Sequence, residues 1–300
     1  MLTPREIIAH AWAVTTTEPD LKRWGFFGAF FEILLDVKLL VYQIYFLYSY
    51  MRGEGGGLFD IEIMLYNAIP FWLFFLLAGS FILLVIIELF VPSLADGAII
   101  GLTAKSHGKE KVSGGFVLAL YNFFPILAVH EVFLFSSLSI FITSISVILR
   151  YGAGLKTMMI VVVSIIWVIS NVIKFFSSFT EPGIVVEKLN IFAAGAKSVK
   201  LMMGYMPHVM FLFLLLIVIS IRIFINTLVI VLVPLAMLGI GIGLTYVFQP
   251  IVSYSIAGVI GLLLTLVAAY FFAYLHIFKQ AVWTIMYMEL IKEKELDKIG

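Results

Sequence analysis

The residues of this chain best equipped for chemistry are the ionisable ones set inside its apolar runs. Glu32, Asp36 and Lys38 lie in the first run, Glu88 in the second, His130 and Glu131 in the third, Lys174 in the fourth and Arg222 in the fifth. A charge near the middle of a bilayer costs at least a few kcal/mol, so such residues are the first place to look for function. Glu32 and Asp36 are four apart and share one helical face. Lys38 stands roughly 200° round from Asp36, so it needs a different partner or must reach the interface with its ammonium. Glu131 and Arg222 both fall near mid-span, where they can pair. Glu32, Asp36, Lys38, Glu131 and Arg222 are therefore the candidate ion or ligand pathway. A structural reading competes with this one: four acids nearly balance three bases, so the charges neutralise one another across helices and fix the packing.

Enzyme motifs fail when tested. His130 and Glu131 open an HExxH zinc-protease pattern, but Leu134 stands where the second histidine belongs. There is no GxSxG elbow, no GxxxxGK[ST] loop and no paired-aspartate metal motif. The glycines at 53–57 are followed by no Lys-Ser/Thr pair. The five histidines, at 10, 107, 130, 208 and 276, contain no i,i+4 pair, and the chain has no cysteine. No catalytic residue, cofactor or metal is implied, and nothing suggests a nucleic-acid partner.

The elements that must carry these side chains are membrane helices. Of the 300 residues, 63% are hydrophobic and only 12% charged, about half the charge of a soluble domain. With a mean hydropathy of +1.13 and apolar runs beyond 18 residues, the bilayer is the solvent for most of the chain. The aromatic load, 15% of the residues, is spread along those runs and suits lipid-facing packing. Six spans are predicted, at residues 25–50, 63–91, 116–149, 157–176, 208–234 and 246–276. Pro92 ends or bends the second, and the third is long enough to be tilted. Gly239, Gly241 and Gly243 allow close backbone approach, most simply in a turn. Residues 1–24 carry six charges without the apolar core of a signal peptide, so this end is expected to be retained.

Two stretches are amphipathic. In residues 3–23, Thr3 can cap, Pro4 suits the first turn and Glu6 completes a capping box, while Trp12 suits the headgroup level. Residues 181–206 read as one helix with Leu189, Phe192, Ala196, Val199 and Met203 along an apolar stripe. That helix is expected to lie in the membrane interface, with a linker helix packed on the protein as the alternative. Trp12, Lys188, Lys197 and Lys200 are the candidate contacts to lipid headgroups.

Shifting the first third by 184 residues superposes Lys38 on Arg222 and the glycine-rich turn on MLGIGIG. This suggests a repeat, with halves 1–113 and 183–300 joined by residues 114–182. Of nineteen Lys and Arg, thirteen fall on the side holding both termini, three on the other and three within spans, which places the termini in the cytoplasm.

The N-terminal amphipathic segment with Ala9, Ala11 and Trp12, the stretch GLTAKSHGKEKVSGGFVLAL, the stretch EPGIVVEKLNIFAAGAKSVKLMMG and the late VWTIMYMEL together resemble a known group. They are similar to polytopic inner-membrane proteins related to the membrane domain of glycerophosphoryl diester phosphodiesterases. The resemblance implies six spans with amphipathic insertions; the catalytic barrel has no counterpart here, so hydrolysis is not implied. The sequence thus predicts an all-α integral protein of a bacterial or archaeal plasma membrane. Its expected role is non-enzymatic: an accessory or scaffold subunit organising lipid, a larger membrane complex or a homo-oligomer. The alternative is a transporter or channel for an ion, lipid or small amphiphile.

Overall fold

The computed structural model describes residues 2–53, 63, 66–67, 69–219 and 221–296, excluding the side chains of 216, 218–231, 234, 250–251 and 294–296. Among the described residues the regular structure is entirely helical. Helix α1 (Pro4–Thr17) starts on the expected capping box: Thr3 Oγ1 accepts from the Glu6 amide, and the Glu6 carboxylate accepts from the Thr3 amide. Glu18 breaks the path, and Pro19 begins α2 (Pro19–Met51). There follow α3 (Phe71–His107), α4 (Gly115–Val132), α5 (Leu138–Tyr151), α6 (Lys156–Phe176) and α7 (Thr180–Glu187). The chain continues through α8 (Ile191–Gly204), α9 (Met206–Ile219), α10 (Ile221–Leu244) and α11 (Pro250–Leu296).

Four segments are long and apolar enough to cross a membrane: Phe71–His107, Gly115–Val132, Ala153–Glu187 and Val252–Glu293. A fifth arises if the bent pair Ile191–Gly204 and Met206–Leu215 is counted as one. Helix α2, which carries Glu32, Asp36 and Lys38 in its middle, is not among them.

The long helices have two storeys. The upper part of α3 exposes Phe71, Trp72, Phe81 and Ile82, whereas its lower part, from Ala95 to Thr103, is buried throughout. Helix α11 repeats this, with Tyr270 and Phe271 exposed and Ile277 to Tyr287 almost entirely packed away. The largest core cluster joins Ile7 and Ala11 of α1, Leu201 and Met202 of α8, and Phe278 to Leu290 of α11. Exposed aliphatic surface in the upper storey suits lipid, where packing with small residues holds helices together. Gly28 supplies one such contact: a Cβ there would stand 2.7 Å from that of Ala95.

Several boundaries differ from the sequence expectation, each for a local reason. Helix α3 does not end at Pro92 but continues to His107, because a membrane helix tolerates the lost amide hydrogen bond. The third span breaks at Phe133 into a 3-10 turn, Leu134–Ser136, before α5 begins; Ser136 Oγ caps back onto the Phe133 carbonyl at 2.7 Å. The stretch 181–206 is two helices. Lys188 adopts a left-handed conformation at φ 58°, ending α7, and Asn190 starts α8 by accepting from the Ala193 amide at 2.8 Å. MLGIGIG is helical and the turn comes later, after Leu244. Gly241 still provides close approach, since a Cβ there would meet the Tyr254 ring at 2.9 Å. The turn at 53–57 lies largely outside the described residues.

Candidate functional site

Four helices deliver one ionisable side chain each to a single buried point. Asp96 comes from α3, His130 from α4, Glu181 from the first turn of α7 and His276 from α11. The small residues around Asp96 in the sequence ADGA make the meeting possible. A Cβ on Gly97 would stand 3.2 Å from Ile126 Cδ1 and 3.6 Å from Ala119 Cα, so α4 approaches α3 closely at this glycine. Ser93 and Asp96 are three apart on α3, and His276 and Gln280 four apart on α11, so each pair shares a face.

The His130 Nε2 atom faces two carboxylates, Asp96 Oδ2 at 3.0 Å and Glu181 Oε1 at 3.3 Å. These three donor atoms lie within 4.8 Å of one another. Every other heteroatom of the three side chains is also held. His130 Nδ1 meets Ser93 Oγ at 3.1 Å, Asp96 Oδ1 meets His276 Nε2 at 2.6 Å, and Glu181 Oε2 accepts from Gln280 Nε2 at 2.6 Å. Glu32 extends the chain outward, its carboxylate 3.8 Å from His276 Nδ1. Lys174 and Lys279 stand within electrostatic reach. The Asp96 side chain is 6% exposed and that of Glu32 55%, so the cluster runs from a dry interior to an open edge.

Of the four proposed pathway residues whose side chains are described, only Glu32 is brought here. Asp36 accepts from Ser139 Oγ at 2.6 Å. Lys38 finds its separate partner in Glu88, whose side chain is fully buried. Glu131 points outward from the end of α4 and is exposed. The Arg222 side chain lies outside the described residues, and with it the suggested Glu131–Arg222 pair. Four of the five histidines converge in two places, His130 and His276 here and His10 with His107 elsewhere. Asp96 and Glu181 lie outside the predicted spans and His276 at the last residue of one, so a search within spans does not single them out.

The second convergence sits at the end of α1. His107 Nδ1 meets His10 Nδ1 at 3.1 Å, and its Nε2 meets Glu289 Oε1 at 3.1 Å. Glu289 also accepts from the Leu2 amide at 3.0 Å, beside a cavity of about 490 Å³. This knot ties α1 to α3 and α11.

The lysines expected at lipid headgroups divide. Lys197 is paired with Glu187, at 2.6 Å to Oε1, and Lys200 is exposed. Lys188 lies 4.6 Å over the Tyr121 ring, and partial desolvation there pulls its ammonium below the ordinary lysine range. Trp12 is 49% exposed and meets Phe278 edge-on. The apolar stripe of α8 faces outward, with Phe192 89% and Met203 65% exposed, while Ala194, Ser198, Leu201 and Met202 form the buried side. No protein-family model, curated protein or solved structure matches this chain.

Proposed function

We propose that this is a six-crossing protein of a bacterial or archaeal plasma membrane, with cytoplasmic termini, that conducts an ion through the cluster between α3, α4, α7 and α11. The observation carrying this reading is the convergence of Asp96, His130, Glu181 and His276 from four helices in otherwise apolar segments. An ionisable residue within an apolar segment is a functional-site hypothesis by default, and here four of them meet at one place. The break at Phe133, one turn beyond His130, adds support, because discontinuous helices in membrane proteins line binding cavities. The graded exposure from Asp96 to Glu32 supplies a direction of entry.

Six crossings follow if α2, α3, the broken α4–α5 pair, α6, the α9–α10 stretch and α11 each span once. The order of elements supports the two-half arrangement: α1 and α8, 14 residues each, precede apolar helices, and α3 and α11, at 37 and 47 residues, are both longer than one crossing needs. The resemblance noted above is carried for fold alone, and the role is non-enzymatic.

A second reading, the accessory or scaffold role, is favoured by α8. Its outward apolar face and the 91° bend between it and the following helix suit a helix lying along a leaflet, ready to organise lipid, a complex or a second copy.

Cation flux into proteoliposomes, measured with a panel of monovalent and divalent ions, tests the pathway. Asp96→Asn and Glu181→Gln are expected to lower flux at least tenfold, and Lys200→Gln to leave it unchanged. Folded protein that passes no cation would remove the pathway and leave the scaffold.

A further inference from the structure

We infer that Asp96, His130 and Glu181 form a binding site for a divalent transition metal, with zinc the best chemical fit. The inference deepens the pathway reading, on which it rests only for the idea that the bound ion is also the one passed.

Geometry carries the argument. Zinc bound by imidazole and carboxylate at about 2.1 Å in a tetrahedron sets its donor atoms about 3.4 Å apart. The separations from His130 Nε2 to Asp96 Oδ2 and Glu181 Oε1 are 3.0 and 3.3 Å, and all three donors fit within 4.8 Å. Two carboxylate oxygens converging on one ring nitrogen make a poor hydrogen-bond arrangement, since Nε2 carries one proton at most. They make a good triad of donors around a cation.

The surroundings of the triad match what metal sites need. A metal-binding imidazole holds its other nitrogen in a hydrogen bond, which fixes the tautomer, and ligating carboxylates are braced in the same way. Here Ser93 meets Nδ1 of His130, His276 meets the free oxygen of Asp96, and Gln280 donates to the free oxygen of Glu181. Three ligands, three braces and one donor atom turned inward from each describe a preorganised site. The braces also leave the fourth tetrahedral position to water or a passing group, as in sites where the metal acts or moves on.

The donor set selects the metal. Calcium takes six to eight oxygens in a flexible cage, and magnesium favours carboxylates with several waters, whereas an imidazole nitrogen among carboxylates suits zinc and its first-row neighbours. The two carboxylates match the charge of one divalent ion.

Metal-free full-length protein in nanodiscs, titrated with zinc against a fluorescent chelator, tests the assignment. One ion per chain is expected. Asp96→Asn and His130→Gln should each weaken binding at least a hundredfold, and Ser93→Ala and Gln280→Ala about tenfold to a hundredfold. The exposed His208→Ala should bind as the unaltered protein does. His130→Cys guards against variants that fail to fold: loaded with cobalt, it should gain an intense near-ultraviolet thiolate band. Absence of saturable zinc binding overturns the inference, as does binding that survives both Asp96→Asn and His130→Gln. Flux of monovalent ions by a protein that binds no zinc would sink the metal site and spare the pathway. Zinc binding without any flux would do the reverse.

Discussion

Lys38 and Glu88 show how costly one side chain becomes once its partner is fully enclosed. The Glu88 side chain is 0% exposed and its Oε1 has no hydrogen-bond partner, so the Lys38 ammonium supplies its compensation. Removing one member of such a pair leaves an uncompensated charge at about 3–5 kcal/mol, whereas replacing both with apolar residues of similar size is often neutral or stabilising. Lys38→Met should therefore destabilise the protein by about that amount in a thermal unfolding measurement, and Lys38→Met with Glu88→Leu should recover most of it. Glu6 behaves differently because it stands in water. Hydrogen bonds from Thr3 hold its carboxyl below the ordinary value of 4.5, so its contribution to the α1 start is present above that value and lost as pH falls beneath it. Protection of the first-turn amides of α1, taken relative to the intrinsic exchange rate at each pH, should fall on acidification, and in Glu6→Ala it should already be low at neutral pH. At this scale the sequence was partly readable. It flagged Glu32 and left Lys38 either a different partner or a reach to the interface, of which the structure shows the partner, Glu88. It also proposed Glu131, which stands exposed away from the cluster. Flux lost in Glu131→Gln yet kept in Asp96→Asn would move the pathway back there.

The elements explain why Asp96, Glu181 and His276 stayed hidden. A proline in an apolar run reads as the end of a helix, yet α3 passes Pro92 and carries Ser93 and Asp96 on into the buried storey. The HExxH test looked for two histidines within a single turn of helix. The real constellation draws one residue from each of four helices, and His276 lies 180 positions from its partner Asp96. Spacing along one helix cannot reveal that; a buried acid among ADGA's small residues was the usable signal. The same small residues yield a test. Gly97→Leu should push α4 away from α3, destabilise by about 1–3 kcal/mol as overpacking does, and remove cluster function even where the protein still folds. Asn190→Ala should cost about 1 kcal/mol through the lost cap and loosen α8, visible as faster exchange at Ala193. The interfacial stretch was legible as amphipathic, and its outward stripe follows the expected residues. Its division at Lys188 was not, because a left-handed lysine has no sequence signature.

On the scale of the whole molecule, the absence of cysteine makes topology directly measurable. Single cysteines placed at Lys109, Lys200 and Lys292 should label from the cytoplasm, and those at Arg52 and Tyr151 from the opposite side; a split of the first three between sides would end the six-crossing arrangement. Helix α11 then has a mechanical consequence. At 47 residues it is about 70 Å long, more than twice the roughly 30 Å of a bilayer's hydrocarbon core. Its upper part exposes Tyr270 and Phe271, and its other end is knotted through Glu289 to His107 and to the backbone of Leu2. His276 rides between them. A helix pivots as a stiff rod, so a tilt of about 5° at Glu289 carries His276, roughly 20 Å up the axis, sideways by about 2 Å. That travel exceeds what the 2.6 Å contact with Asp96 can absorb. Whatever grips the foot of this rod, a lipid or a neighbouring chain, holds a crank on the Asp96–His276 contact.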